Sequence, residues 1–255
     1  MTNYLAVTNK PWIAQALGAK QKTAADLPHP LPPDTFMWIP EHYVARAYAA
    51  GRPYPLTSTL HWPLAFGDQF LKRTVRLCRG RDLTSTDTPA FVKLADAKVA
   101  ELPAGSGTED GLRQSLVALD ALDSWTIVSE LIDLVEEWRV LIVDGTAIDS
   151  SQYVRASRSI ETKLPTFRDI EEFASAAAQS DPGHLPASYM LDVGITTTGD
   201  LTIIEANPIW CANWYSLSTE NVKQALQCEF TSDANAMWVP DPILLRRVRV
   251  EGPQL

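Results

Sequence analysis

The sequence predicts an α+β protein of antiparallel sheets with flanking helices. Two hairpin signatures carry most of that prediction. Asp144-Gly145 stands between Trp138-Arg-Val-Leu-Ile-Val143 and Thr146-Ala-Ile-Asp149, and Thr198-Gly-Asp200 interrupts the apolar run from Tyr189 to Pro208. An Asp-Gly step accepts positive φ at both central positions, which matches the twist of two paired strands. Helical stripes between and after these hairpins supply the flanking helices.

Prolines crowd the first 88 residues, with Pro28, Pro30, Pro32 and Pro33 almost adjacent, so this region is expected to hold short elements joined by turns. Within it Pro40 to Gly51 reads as a helix: Pro40 suits the first turn, Tyr43, Val44, Ala47 and Tyr48 make one stripe, and Gly51 ends it. A second helix is expected near Asp68 to Arg76. From Ala90 the pattern sharpens. Ala90-Phe-Val-Lys-Leu-Ala95 is strand-like, Asp110 to Leu122 repeats leucine at helical intervals, and Trp125-Thr-Ile-Val-Ser-Glu130 is a short apolar strand. The first hairpin follows, its second strand running on through Ser151-Gln-Tyr-Val-Arg155. Ile170, Phe173, Ala174 and Ala177 form a helix stripe that Asp181-Pro-Gly183 ends, the second hairpin comes next, and a helix from about Thr219 to Cys228 closes the series. Beyond it, Met237 to Leu245 is apolar enough to dock on this chain or on a partner.

Composition narrows the function. A chain of 255 residues that is 45% hydrophobic can bury a full core. A formal charge of −9 disfavours generic binding to nucleic acid, which draws on accumulated Lys and Arg, so any phosphate must be held by a few placed cations. No apolar run reaches the ~18 residues of a membrane span, and the N-terminus has no signal-like pattern, so a cytoplasmic protein with no membrane partner is expected. Three cysteines without a close pair argue against a disulfide framework or zinc site. His29, His42, His61 and His184 are scattered through loop-like contexts and do not suggest a catalytic histidine. Cys211 is expected as a small buried hydrophobe. Trp210, Asn213, Trp214 and Tyr215 form an aromatic cluster that either lines an acceptor pocket or packs in the core.

Charged residues at apolar strand positions point to chemistry. Glu205 and Asn207 share one face by alternation, and with Asp192 they form a set of hard oxygen donors that favours Mg²⁺, an ion usually completed by substrate phosphates. Lys93 interrupts Phe91-Val-Lys-Leu94, and Lys98 follows it. Arg139 lies on one hairpin strand and Arg155 on the other, so the hairpin is expected to bring two guanidinium groups over one patch, where an anion between them relieves their repulsion. The sum is a nucleoside triphosphate site on antiparallel strands, in a chain without a G-x-x-x-x-G-K-[ST] loop.

These stretches, in this order, resemble the ATP-grasp superfamily, and most closely its divergent clade named for two arginines and a lysine. The matching pieces are Phe91 to Lys98, Ser129 to Ile132, Glu137 to Gly145, Ser151 to Arg155, Leu191 to Gly194 and Ile204 to Pro208, within about residues 89 to 217. The resemblance implies an ATP-grasp fold preceded by a small N-terminal α/β region, with residues 1–88 on the substrate side, 89–230 binding nucleotide and 231–255 as a tail. It implies that Lys93 contacts the nucleotide phosphates with Lys98 on the loop beside them. Ser129, Glu130, Leu131 and Ile132 become the hinge that recognises adenine, with Glu130 or Glu137 near the ribose. Arg139 and Arg155 hold the γ-phosphate and the developing acyl phosphate, and Asp192, Glu205 and Asn207 ligate Mg²⁺. Leu94 stands where many relatives have proline, and Ala97 to Gly107 replaces a familiar glycine-rich flap.

The activity so implied is an ATP-dependent carboxylate–amine ligase acting on an amino acid, a peptide or a protein. The alternative is a nucleotide-binding assembly factor, as in the eukaryotic cell-division protein of this clade that helps assemble a translation initiation factor.

Overall fold

The computed structural model describes residues 2–23, 26–155, 164–229 and 237–251. The N-terminal part forms β1 (Asn3–Val7), α1 (Pro11–Leu17), β2 (Lys20–Lys22) and β3 (Thr35–Trp38), with the strands parallel in the order β2-β1-β3. Proline in the first turn starts α1, and Gly18 at φ 62° ends it by donating its N–H back to the last turn. Helix α2 (Glu41–Ala49) buries Val44, Ala45 and Ala47, a stripe shifted from the expected one because Tyr48 turns outward. Two single turns follow, α3 (Trp62–Ala65) and α4 (Asp68–Leu71).

The helix expected near Asp68 to Arg76 stops at Leu71. Lys72 takes φ 54°, and Val75–Arg79 becomes β4, whose partner lies fifty residues further along the chain. Tertiary pairing overrides local propensity there. The remaining elements are β5 (Ala90–Leu94), β6 (Gly105–Gly107), α5 (Glu109–Ala118), β7 (Trp125–Ser129), β8 (Leu134–Val143), β9 (Thr146–Arg155), α6 (Phe167–Gln179), β10 (Ser188–Thr196), β11 (Leu201–Asn207), α7 (Thr219–Glu229) and α8 (Pro242–Glu251). Helix α5 ends short of the expected Leu122, since Asp120 turns left-handed at φ 50°. Helix α6 opens with a reciprocal cap between Thr166 and Asp169.

Two antiparallel four-stranded sheets result, ordered β4-β7-β5-β6 and β11-β10-β8-β9. This is the expected α+β class, preceded by the small parallel sheet. In the β8–β9 hairpin Asp144 and Gly145 both take positive φ, 47° and 71°, as the Asp-Gly signature demands. One face of the second sheet, with Val140, Ile142, Leu191 and Val193, packs on Ile170, Ala174 and Ala177 of α6. The opposite face joins the main core through Leu141, Met190, Trp210 and Leu226. Trp210 and Trp214 are core residues, whereas Tyr215 is exposed.

The described part of the C-terminal segment is docked on this chain. Thr57 bridges to Met237, Trp238 donates its N–H to the Leu56 carbonyl, and α8 lies against α2 with Ile243, Leu244 and Val248 buried. Asp241 anchors it by accepting from Ser124 Oγ at 2.5 Å and from the Trp125 N–H at 3.1 Å. Residues 231–236 and 252–255 of the expected tail lie outside the described residues.

Candidate active site

Three strands align one row of charge. Arg139 on β8 pairs in register with Asp192 on β10, and Asp192 with Glu205 on β11. Arg139 Nε and Nη2 donate to the two oxygens of Asp192 at 2.8 and 2.7 Å. Asn207, two residues beyond Glu205 and on its face, donates Nδ2 to Asp192 Oδ2 at 3.2 Å and to Glu205 Oε1 at 2.9 Å. From the other sheet, Lys93 Nζ contacts Glu205 Oε2. Residues up to 114 positions apart, from Lys93 to Asn207, therefore form one continuous polar chain across both sheets.

Two members of that chain, Lys93 and Glu205, line a cleft of about 810 Å³ between the sheets, whereas Arg139, Asp192 and Asn207 stand behind Glu205 and are not among its lining residues. All seven residues expected at the nucleotide line it: Lys93, Lys98, Ser129, Glu130, Leu131, Ile132 and Glu137. Glu205 lines it as well. Residues 130–133 carry the chain from β7 in one sheet to β8 in the other. Two bulges shape the wall. Ile204 is the extra residue opposite β10, so that it and Glu205 both face the cleft. Tyr153 is the extra residue opposite β8, and its hydroxyl donates to Glu137 Oε2 at 2.7 Å.

The second bulge separates the two arginines. After Tyr153 the register resumes with Val154 opposite Glu137, so Arg155 falls opposite Glu136 on the α6 side of the sheet. Its side chain is 76% exposed, with Nε 3.7 Å from Glu136 Oε1. The expected guanidinium pair over one patch is not formed, because one inserted residue moves everything after it to the opposite face. Arg139 instead lies over the rings of Tyr153 and Tyr215, which stack on each other with centroids 4.7 Å apart.

Electrostatics divides the two carboxylates. Burial opposes the charge on Glu205, yet Lys93 and Lys98 outweigh it and hold the carboxyl at about 2. Burial dominates at Asp192 and pushes it up to about 6 despite Arg139, while Asp192 and its hydrogen bonds raise Arg139 against its own burial. At neutral pH both partners are ionised. Cys211 is half-buried rather than fully buried as expected, and desolvation pushes its thiol well above the usual range.

Among the described residues no three or more His, Cys, Asp or Glu side chains cluster as a metal site. The donors present suit a hard cation nonetheless. Asp192, Glu205 and Asn207 offer oxygen-bearing groups tied together through one amide, and the ammonium of Lys93 already rests where positive charge is favoured. Mg²⁺ fits that set, because it takes few protein ligands and leaves the rest to water and phosphate.

Sequence reasoning missed Arg73. Its guanidinium donates to Ser129 Oγ, Thr202 Oγ1 and the carbonyls of Leu71, Ile203 and Ile204, at 2.7 to 3.2 Å, and so braces the two sheets beside the cleft. Burial lowers its pKa to about 10. Within Lys72-Arg-Thr-Val-Arg76 nothing distinguishes it from its charged neighbours. Tyr153 is a further cleft residue: alternation from Ser151 puts it on this face, and nothing in its residue type marked it for a nucleotide site.

A family model for an ATP-grasp domain, the second family of the clade named for two arginines and a lysine, matches residues 70–225. No curated protein matches the chain. Among solved structures the chain is similar to a RimK domain protein ATP-grasp from Sphaerobacter thermophilus, at TM-score 0.51 and 14% identity, covering 90% of this chain and 99% of that one. It is also similar to D-alanyl-alanine synthetase A from Vibrio cholerae, at TM-score 0.50 and 12% identity, covering 91% and 99%. At these identities the likeness is one of fold.

Proposed function

We propose, from the premise that this chain belongs to the ATP-grasp domain family, in its clade of two arginines and a lysine, that it activates a carboxylate with ATP and joins it to an amine. The observation that carries this reading is the contact of Lys93 with Glu205 across the cleft, backed by Asn207, Asp192 and Arg139. Cations from two sheets and oxygen donors from one meet where a triphosphate needs both.

In this reading the adenine lies against the apolar wall of Leu102, Ile127 and Ile204 and meets the backbone of residues 130–132. Glu130 accepts from the Thr74 N–H at 2.8 Å and Glu137 from the Tyr153 hydroxyl at 2.7 Å, each through one oxygen, so the ribose is assigned to Glu130 or Glu137. Lys93 and Lys98 take the phosphates. Glu205, Asn207 and Asp192 would hold Mg²⁺, which supplies charge neutralisation to the phosphates when bound. With Arg155 on the far face, stabilisation of the transferring phosphoryl group is assigned to Arg139 alone.

A carboxylate oxygen of the substrate attacks the γ-phosphorus, the bond to the β–γ bridging oxygen breaks, and ADP leaves. The amine nitrogen then attacks the acyl carbon and the carbon–oxygen bond to phosphate breaks. Phosphate departs and the ammonium's net proton goes to solvent. The acceptors in view are an amino acid, a peptide or a protein.

The test couples ADP release to trapping with hydroxylamine, which turns an acyl phosphate into a hydroxamate that is read as its coloured ferric complex. Carboxylate-dependent ADP and hydroxamate formation in equal amounts is expected. Tight binding of Mg-ATP with no ADP released across a broad carboxylate panel would favour the assembly-factor reading instead.

A further inference from the structure

Tyr215 takes φ 50°, a left-handed backbone that crowds the Cβ of any residue but glycine and is rare for a bulky one. Its neighbours Trp214 and Leu217 are buried, whereas Tyr215 is 41% exposed, so core packing does not explain the strain. The reversal returns its ring over the sheet, where it lies flat on Tyr153 with 4° between the planes. Three hydrogen bonds fasten the turn. Asn213 Oδ1 accepts from the Tyr215 N–H at 3.2 Å, Ser151 Oγ from the Ser216 N–H at 3.2 Å, and Asp149 Oδ2 from the Ser218 N–H at 2.7 Å.

The turn encloses one group. The Arg139 guanidinium lies 5.1 Å from the centre of the Tyr215 ring and 5.6 Å from that of Tyr153, and its Nη1 donates to the Asn213 carbonyl at 2.6 Å. Three of its five N–H donors are therefore committed, two to Asp192 and one to Asn213, which leaves two to meet an anion. Where Asp192 also serves Mg²⁺, its hold on Arg139 is shared with the ion. The Asn213 carbonyl and the two rings carry no such second duty, and an aromatic face attracts a guanidinium through its own electrostatics. Strain that persists at an exposed residue beside a charged site points to function.

We propose that Tyr215 is a positioning residue, whose strained turn sets a ring against Arg139 and keeps that guanidinium aimed at the transferring phosphoryl group while Asp192 is engaged by the ion; the role rests on the ligase reading given above.

Two variants of the full chain test it. Tyr215→Phe keeps the ring, and Tyr215→Leu keeps apolar bulk under the same backbone strain but has no aromatic face. Turnover is read as hydroxamate formed with hydroxylamine, using whichever carboxylate of the panel gives most product, together with KM for Mg-ATP. Exchange of the Arg139 Nε–H with water is read by NMR in the presence of a non-hydrolysable Mg-ATP analogue. Tyr215→Leu is expected to lower kcat about tenfold or more, leave KM for Mg-ATP within about twofold, and quicken the exchange, and Tyr215→Phe to restore both readouts. Wild-type turnover or wild-type exchange in Tyr215→Leu, or Tyr215→Phe no better than Tyr215→Leu, would overturn the proposal. Should Tyr215→Leu fail to fold, phenylalanines of increasing ring fluorination in place of Tyr215 keep the shape and weaken the ring's attraction for a cation. Turnover and exchange that fluorination leaves unchanged would then overturn it. A wild type that forms no hydroxamate with any carboxylate sinks the ligase reading, and the exchange rates alone then decide whether Tyr215 holds Arg139.

Discussion

Arg139 grips both carboxylate oxygens of Asp192 while the two side chains keep only 7% and 2% of their exposure. Removing one partner therefore strands the other's charge away from water. Arg139→Ala is expected to cost about 3–5 kcal/mol in chemical denaturation. The double variant Arg139→Met/Asp192→Leu should recover most of that loss, since it buries no charge. A double variant no more stable than Arg139→Ala would show that the pair stabilises beyond mutual neutralisation.

Lys93 keeps Glu205 ionised. With a folded value of about 2 against an ordinary 4.5, Glu205 contributes stability that is present above 4.5 and lost as pH falls towards 2. Lys93→Met should therefore destabilise the protein at pH 7 and lose most of that penalty near pH 2. Its affinity for Mg-ATP should fall by about ten- to a hundredfold, as for loss of a hydrogen bond to a charged group. Urea titrations across pH, with calorimetry at neutral pH, measure both effects.

Glu229 behaves in the opposite sense. It is 1% exposed, its Oε1 accepts from the Thr57 N–H at 2.9 Å and from the Thr57 hydroxyl, and burial pushes it up to about 7. A raised carboxyl favours the folded state at low pH and loses that advantage as pH climbs from 4.5 to 7. Glu229→Gln preserves the acceptor for Thr57 and removes the titration. It should be more stable than wild type at pH 8 by about 3 kcal/mol, from about 1.4 kcal/mol per pH unit, with the difference vanishing near pH 4. Thermal melts at the two pH values decide it.

Arg73→Lys keeps the charge and loses the planar fork that reaches side chains and carbonyls of both sheets. A loss of about 1.5–3 kcal/mol is expected, as for hydrogen bonds to charged groups. Hydrogen exchange should quicken on β7 and β11 together, because the brace joins them.

Arg155→Ala should leave stability within about 0.5 kcal/mol of wild type, in keeping with an exposed side chain and a long contact to Glu136. Carboxylate-dependent ADP release should fall far less than in Arg139→Lys. A larger fall for Arg155→Ala would reverse the assignment of the phosphoryl-stabilising role.

Features written in adjacent residues were legible in the chain itself. The Asp144-Gly145 and Thr198-Gly-Asp200 turns, the alternation that puts Glu205 and Asn207 on one face, and the helix stripe through Ile170, Ala174 and Ala177 each depend on backbone geometry repeating over a few residues. Long-range pairing decided the rest. Val75–Arg79 is a strand because β7 pairs with it, Met237 onward is anchored because Leu56, Thr57, Ser124 and α2 receive it, and Arg73 is a brace because two sheets meet at its guanidinium. Arg139 and Arg155 show the boundary most sharply. Strict alternation puts them together, and one bulged residue, Tyr153, sets them on opposite faces. A bulge depends on which partner residues pair across the sheet, and that is settled only when the strands meet.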